Sequence, residues 1–237
     1  MIKLVCFLRR KPGMPLGEFY EHWRDRHGPL IAGTPELARH LRRYEQNHRL
    51  ASDRERDAEG SPGFDGATIQ WLDSMDSFLA FVREPKYAEL IAPDEKRFLD
   101  RSSLLVFFTE QEEVKIDGDS EAATVKLLAL LRRKPGIEAL DFHAHWRGPH
   151  AELFSGIPEI RRHILAYHQN HRVDAEVPRG PLDYDGLAEQ WYTSPEEFAA
   201  MGREPRYREC VPADEDHFVD RAAIEWILCA PPHLILG

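Results

Sequence analysis

Tyr44-Glu45-Gln46-Asn47-His48-Arg49 is written a second time in the chain as Tyr167-His168-Gln169-Asn170-His171-Arg172. Side chains alternate across a strand, so Tyr44, Gln46 and His48 share one face while Glu45, Asn47 and Arg49 share the other. Neither face is apolar throughout, and at least one must meet water, a ligand or other polar groups. The strand is expected to line a cavity, and its duplication to build two such walls.

The duplication extends outward over almost the whole sequence. Lys3-Leu4-Val5-Cys6-Phe7-Leu8-Arg9-Arg10-Lys11-Pro12-Gly13 returns as Lys126-Leu127-Leu128-Ala129-Leu130-Leu131-Arg132-Arg133-Lys134-Pro135-Gly136, a shift of 123 positions. The same shift carries Phe19, His22, Trp23, Arg24 and His27 onto Phe142, His145, Trp146, Arg147 and His150. After a three-residue deletion the shift becomes 120, and Asp65-Gly66, Gln70-Trp71, Arg83-Glu84-Pro85, Tyr87, Asp94-Glu95, Phe98 and Asp100-Arg101 all recur. A period above about 100 residues makes each copy a domain, since solenoid units repeat every 20 to 50 residues or so. Domains are expected at 1–112 and 125–237, joined by an acidic, small-residue linker at 113–124.

A chain of 237 residues, 42% hydrophobic and 30% charged, has enough apolar material for one or two ordinary cores. Its net charge of −10 argues against nucleic acid as a partner, because phosphate binding is driven by Lys and Arg. No apolar run approaches membrane-spanning length and no leader precedes the first strand, so no membrane partner is expected and the location is read as cytoplasmic. Cys6, Cys210 and Cys229 show no close pairing and are expected to be buried free thiols.

Within one copy, Lys3 to Arg10 reads as a strand stopped by Lys11-Pro12-Gly13. Leu16 to His27 reads as a helix, with Leu16, Phe19, Trp23 and His27 along one face and Gly28-Pro29 interrupting it. A short helical turn at Glu36 to Arg42, the Tyr44 strand and a polar loop at 51–64 follow. Asp65-Gly66 signals a turn into a third strand ending at Trp71. Ser74 is placed to cap a helix carrying Phe78, Leu79 and Phe81, and Pro85 ends or bends it. A helical piece from Asp94 to Leu99 precedes the last strand, Leu104 to Thr109. Strand, helix, strand, strand, helix, strand is the split βαβ order of a ferredoxin-like α+β fold. One sheet face of such a unit lacks helices and must be covered. A second copy is the obvious cover, which predicts tandem ferredoxin-like domains that pair their sheets into an intramolecular α/β barrel.

At this point the sequence resembles the EthD-like family of the dimeric α/β-barrel superfamily, in two fused copies. The signs are Phe19, Trp23 and His27 on the first helix, the Tyr44–Asn47 strand, the Asp-Gly turn leading to Trp71, and Asp94-Glu95 with Phe98 and Asp100; both copies carry the set. The resemblance implies a barrel cavity and a range of activities: decarboxylases, dehydratases, cyclases and isomerases that use no cofactor, cofactor-free monooxygenases, and haem enzymes. Fold analogy does not choose among these.

His27 and His150 are the first acid/base candidates, matching the family's helix histidine; an imidazole titrates near neutral pH and suits proton transfer. The plainer alternative is a histidine capping a helix C-terminus. Gly28-Pro29 follows His27, whereas Gly148-Pro149 precedes His150, so the two helices differ locally. Tyr44 with His48, and Tyr167 with His171, are second candidates, suited to orienting a carbonyl or stabilising an enolate; the alternative is a solvated strand end. Asn47 and Asn170 occupy the opposite face, and alternation does not say which face lines the cavity. Glu189 stands where the family commonly has an acidic residue and the first copy has Ile69, making Glu189 a candidate base and the second copy the candidate working half; the alternative is an ordinary solvated residue. Trp71 and Trp191 are candidates to contact substrate or to form barrel wall.

His143 and His145 do not share a helix face, no matching Cys or acidic spacing accompanies them, and neither a metal nor any cofactor is expected. Arg9-Arg10-Lys11 and Arg132-Arg133-Lys134 are either attractors for an anionic substrate or solvated strand ends. The favoured function is a cofactor-independent lyase or isomerase acting on a small hydrophobic aromatic, polyketide or lactone-like compound in a catabolic or secondary-metabolic pathway. The alternatives are a non-catalytic binder of such a compound and a cofactor-free monooxygenase. The outer helices leave room for a homodimer.

Overall fold

Leu4, Val5 and Phe7 are buried and pair with strands on both sides, which makes the opening run a central strand rather than an edge. In the computed structural model, residues 1–57, 63–173 and 184–237 are described. Part of the expected polar loop at 51–64, and the region where the repeat shift changes in the second copy, lie outside these.

The first repeat contains β1 (Ile2–Leu8), α1 (Leu16–His22), α2 (Gly28–Ala32), α3 (Pro35–Ala38), β2 (Arg43–His48), β3 (Gly66–Leu72), α4 (Met75–Arg83), α5 (Ala92–Phe98) and β4 (Leu105–Glu110). After β5 (Glu113–Ile116) the second gives β6 (Val125–Leu131), α6 (Ala139–His145), α7 (Ala151–Gly156), α8 (Pro158–Arg161), β7 (Ile164–His171) and β8 (Gly186–Tyr192). It continues with α9 (Pro195–Met201), α10 (Pro205–Phe218) and β9 (Glu225–Cys229), and β10 (His233–Leu236) ends the chain. The fold is α+β, with two antiparallel sheets in the orders β10-β2-β3-β1-β4 and β5-β7-β8-β6-β9. Four strands of each follow the ferredoxin-like arrangement.

The described chain divides into two compact units, residues 1–110 with 232–237, and residues 111–173 with 184–231. Each takes its outer strand from beyond its own repeat. β10 pairs with β2 and β5 pairs with β7, both antiparallel. The segment expected as linker, 113–124, is therefore not all linker: Glu113–Ile116 pairs with the backbone groups that β7 would otherwise leave open at an edge.

The first turn requires glycine, since Gly13 and Gly136 adopt φ of 83° and 88°. Leu8, Phe19, Trp23, Phe98 and Leu99 then pack α1 and α5 against the sheet in the first unit. In the second, Phe142 lies 5.7 Å from Trp146 and 5.5 Å from Phe218, ring centre to ring centre. Ser74 caps α4 as expected, its Oγ accepting from the Ser77 N–H. The expected thiol burial holds for Cys229 only, Cys6 and Cys210 being half-buried.

Gly28-Pro29 does not interrupt the first helix, contrary to the sequence expectation. Trp23–His27 forms a wide π turn, and α2 continues from it with Pro29 in its first turn. Trp146–His150 is the matching π turn, and here Pro149 lies inside it. A wide turn already displaces backbone hydrogen bonds from their α-helical partners, so a residue without an N–H fits there without ending the helix.

Gly186 opens β8 directly against this turn. A Cβ there would lie 2.4 Å from Trp146 Cζ3 and 2.8 Å from the Asn170 carbonyl oxygen. Gly186→Ala is expected to destabilise the protein by about 1–3 kcal/mol through overpacking, measured as a lower denaturant midpoint at unchanged slope. An unchanged midpoint would show that the Trp146 ring has room to yield.

Candidate active site

The site in the second unit is built on the sheet face that carries Tyr167. Gln169, two residues on, donates from Nε2 to the Trp146 carbonyl at 2.7 Å, so the Tyr167-Gln169-His171 face is the one turned toward the helices. Tyr167 and Gln190 stand directly across from each other on β7 and β8. Between this face and the helices lies a cavity of about 260 Å³, just below the range of about 300–1,000 Å³ usual for ligand pockets. Leu127, Ala129, Leu131, Phe154, Phe198 and Trp226 supply apolar wall. His150, Tyr167, Gln190, Tyr207, Glu215 and Arg221 supply the polar groups.

His150 reaches the cavity from the end of the π turn, and α10 fixes its orientation. Its Nδ1–H donates to Asp214 Oδ2 at 2.8 Å, while His145 donates from Nε2 to Asp214 Oδ1 at 2.8 Å. Residues five apart are well off one face of an α-helix, and widening the turn brings both rings to one carboxylate. Burial acts to raise the Asp214 carboxyl, but the bonds from His150 and His145 prevail and hold it below its ordinary value. With Nδ1–H committed to Asp214, Nε2 of His150 is left as the basic nitrogen.

The Tyr167 hydroxyl oxygen accepts from Trp146 Nε1 at 3.0 Å and from Gln169 Nε2 at 2.9 Å. Both lone pairs are thus used, and the O–H has only donation left to it. Burial raises the phenol well above its ordinary value despite these two bonds, so it remains a donor at neutral pH. Burial likewise pushes the Glu215 carboxyl up, against the pull of His150 and of Arg221, whose Nε lies 3.2 Å from Oε2. A carboxyl whose proton is held more firmly by burial is a candidate proton donor.

The first unit repeats the framework. His27 Nδ1 and His22 Nε2 donate to Asp94 at 3.0 and 2.9 Å. Burial pushes Tyr44 up to about 12, and its oxygen accepts from Gln46 Nε2 at 3.1 Å. Tyr87 here donates to Glu95 at 2.9 Å. Neither His27 nor His150 caps a helix C-terminus, because the helix runs on beyond each.

The remaining sequence candidates fall elsewhere. His48 and His171 share the helix-facing side but pack against Trp23 and Trp146, at 4.6 and 4.4 Å between ring centres. Burial drives both down to about 3, so they are neutral. Glu189 does not join His150; it lies on the opposite sheet face, 2.6 Å from Lys126 Nζ and accepting from Asn170 Nδ2 at 2.9 Å. Asn47 is on the corresponding face of the first sheet and donates to the Ala67 carbonyl at 3.2 Å. Trp71 and Trp191 lie on these faces too, under Lys3 and Lys126 at 4.6 and 4.9 Å. Arg10 and Arg133 are committed to Asp65 and Asp185, tying the end of the first strand to the Asp-Gly turn.

Asp94, Asp214, Gln190, Tyr207, Glu215 and Arg221 were not identified as site residues by the sequence. Each belongs to a pair that recurs between copies, and that recurrence was the available signal. Among the described residues, no group of three or more His, Cys, Asp or Glu is arranged to hold a metal ion, and no helix is long and apolar enough to cross a membrane.

Fold and site together define a tandem ferredoxin-like protein with a histidine–aspartate pair in each half. It belongs to the EthD domain family, which matches residues 11–102 and 134–222. The conidial pigment biosynthesis dehydratase EthD of Metarhizium robertsii is 30% identical over 111 residues, covering 43% of this chain and 78% of that protein. An anthrone oxidase-like protein of solved structure superposes with a TM-score of 0.66 at 10% identity, over 98% of this chain and 91% of its own. A chlorite dismutase variant from Candidatus Nitrospira defluvii gives 0.52 at 10% identity, over 97% and 91%. These two likenesses are of the fold.

Since its folded value is depressed, Asp214 contributes stability that is present above the unfolded carboxyl value, near pH 4, and lost as pH falls through the folded one. Wild type is expected to exceed Asp214→Asn by about 2 kcal/mol at about pH 6, the gap closing toward about pH 3. Denaturant titrations across that range provide the check; a pH-independent gap would mean that the histidine bonds do not distinguish ionised Asp214.

Proposed function

We propose that the second unit is the active centre of a cofactor-independent acid/base enzyme of the dehydratase, decarboxylase, cyclase or isomerase type. Its substrate would be a small hydrophobic aromatic, polyketide or lactone-like carbonyl compound of a catabolic or secondary-metabolic pathway. The observation that carries this reading is a His150 ring fixed by Asp214 in the same cavity as a Tyr167 hydroxyl whose oxygen already accepts twice. The dehydratase name of the Metarhizium robertsii relative favours elimination of water within that class. Three cysteines free of disulfide suit a reducing compartment, and a cytoplasmic location is part of the same proposal.

For a β-hydroxy ketone, His150 Nε2 would take the proton next to the carbonyl while the Tyr167 O–H donates to the enolate oxygen. As the enolate collapses, Glu215 would give its proton to the departing hydroxyl, which leaves as water. Proton transfer from His150 back to Glu215 would restore both groups. Asp214 stabilises the imidazolium formed in the first step and keeps the ring aligned. Tyr167 itself is buried, so its hydrogen bond to the enolate oxygen would act at lower dielectric than in water.

His150→Gln is expected to lower kcat by about 10²–10⁴, with ligand affinity changed no more than a few-fold, on a panel of aromatic β-hydroxy ketones followed by mass loss of water. Tyr167→Phe should cost about 10² in kcat through loss of the oxyanion donor. Binding without turnover in wild type would identify a carrier, and oxygen consumption linked to substrate loss would identify a cofactor-free monooxygenase; either result overturns the acid/base reading.

A further inference from the structure

β3 and β8 present equivalent faces to their helices but differ where a ligand would touch them. On β8, Ala188 brings no polar side-chain atom, and the Gln190 side-chain oxygen accepts the Tyr192 hydroxyl. On β3 the matching residues are Thr68 and Gln70, and Leu72 stands where Tyr192 would donate. Thr68 Oγ1 and Gln70 Oε1 are both buried without a hydrogen-bond partner among the described residues. Gln70 as a whole is 7% exposed.

The direction of these groups follows from the register. Gln70 lies directly across from Tyr44 and Thr68 directly across from Cys6, which shares its face with Leu4 and Leu8. That is the side of the sheet on which Gln46 donates to the Trp23 carbonyl at 2.8 Å, and hence the side of the helix that carries His27. At the positions of Trp226 and Phe154 the first repeat has the smaller Val106 and Ile31. Bulk removed there offsets what Thr68 and Cys6 add in place of Ala188 and Ala129.

A buried polar atom without a partner costs free energy, and the second repeat shows that this fold accommodates the satisfied version. Two such atoms, two residues apart on one face of β3, present acceptors to the helix side that a ligand's hydrogen-bonding groups would satisfy. Gln70 Oε1 is an acceptor only and requires a donor. Thr68 Oγ1 accepts from a second donor or donates to an oxygen. Resting on the reading that the helix-facing side of each sheet is the ligand site, we infer that the first unit holds a second, non-equivalent site. It takes a small aromatic compound bearing hydroxyl groups, and these bond to Gln70 and Thr68. In the second unit the Gln190 oxygen is already taken by Tyr192 and alanines stand where the first has Thr68 and Cys6, so the tyrosine O–H, common to both units, is left there as the group that selects a carbonyl compound. One chain thus presents two sites of different polarity behind the same histidine–aspartate pair.

Titration calorimetry on the full chain with resorcinol and with α-tetralone, which has a carbonyl and no hydroxyl, separates the two. Thr68→Ala/Gln70→Leu is expected to weaken resorcinol binding at least tenfold and to leave α-tetralone unchanged. Its unfolding midpoint should be unchanged or higher, since unpartnered polar atoms are removed. Tyr167→Phe should do the reverse to the two ligands. If the double variant does not fold, Thr68→Ala alone carries the test, with a several-fold loss for resorcinol expected. Absence of resorcinol binding, or an affinity indifferent to these substitutions because water alone meets the two atoms, overturns the inference. Loss of α-tetralone binding from wild type with the resorcinol result intact instead overturns the carbonyl site of the second unit and leaves this one standing.

Discussion

One carboxylate gripping two histidines five residues apart is the constraint on which the rest of each unit depends. Asp94 accepts from His22 and His27, and Asp214 from His145 and His150. An α-helical turn would splay the two rings apart; the π turns at Trp23–His27 and Trp146–His150 bring them together. The same turns aim Trp23 and Trp146 at the sheet, where Gly66 and Gly186 leave space for their rings. The grip ties the first helix to the last helix of each unit, and it does so through groups that also set the direction of His27 and His150. Stability and site geometry therefore share one polar contact in each half.

The second dependence is the choice of sheet face. A strand with Tyr, Gln and His on one side and polar groups on the other is ambiguous by alternation alone. Gln46 and Gln169 resolve it by donating to the backbone carbonyls of Trp23 and Trp146, 23 residues away in sequence. The Trp23 carbonyl takes this bond on a second lone pair, since it also accepts the wide-turn bond from the Gly28 N–H. Tyr44 and Tyr167 are consequently turned to the helices, and Asn47, Asn170 and Glu189 to the other face.

Duplication, strand order and the helix histidine were legible because they are local or periodic: the repeat fixes the domain scale, apolar runs fix the strands, and the spacing of Phe19, Trp23 and His27 fixes a face. The strand exchange was not legible, since Glu113–Ile116 and His233–Leu236 are four-residue segments whose pairing is decided by which edge lies open. Glu189 drew interest as a departure between copies, yet its charge is answered by Lys126 on the face away from His150. Asp214 and Glu215 were recorded as recurring neighbours but not as site residues. Their roles depend on α10 reaching back to a helix some 65 positions earlier, a tertiary fact with no periodic trace.

Recurrence and divergence carry different information in a duplicated chain. What both copies keep, the histidine–aspartate pair, the tyrosine, the glutamine facing it, and the Tyr87/Tyr207, Glu95/Glu215 and Arg101/Arg221 sets, comes from separated segments that meet only after folding. Packing alone seldom demands such polar sets inside a small protein, because each member must be satisfied at a cost in desolvation. What the copies do not share lies beside that framework: Ala188 against Thr68 and Trp226 against Val106 in the cavity wall, and Tyr192 against Leu72 behind the glutamine. Changes of that kind leave the acid/base framework in place and alter which ligand atoms it can satisfy. They are the changes expected when two halves of one chain keep a common chemistry and diverge in what they hold.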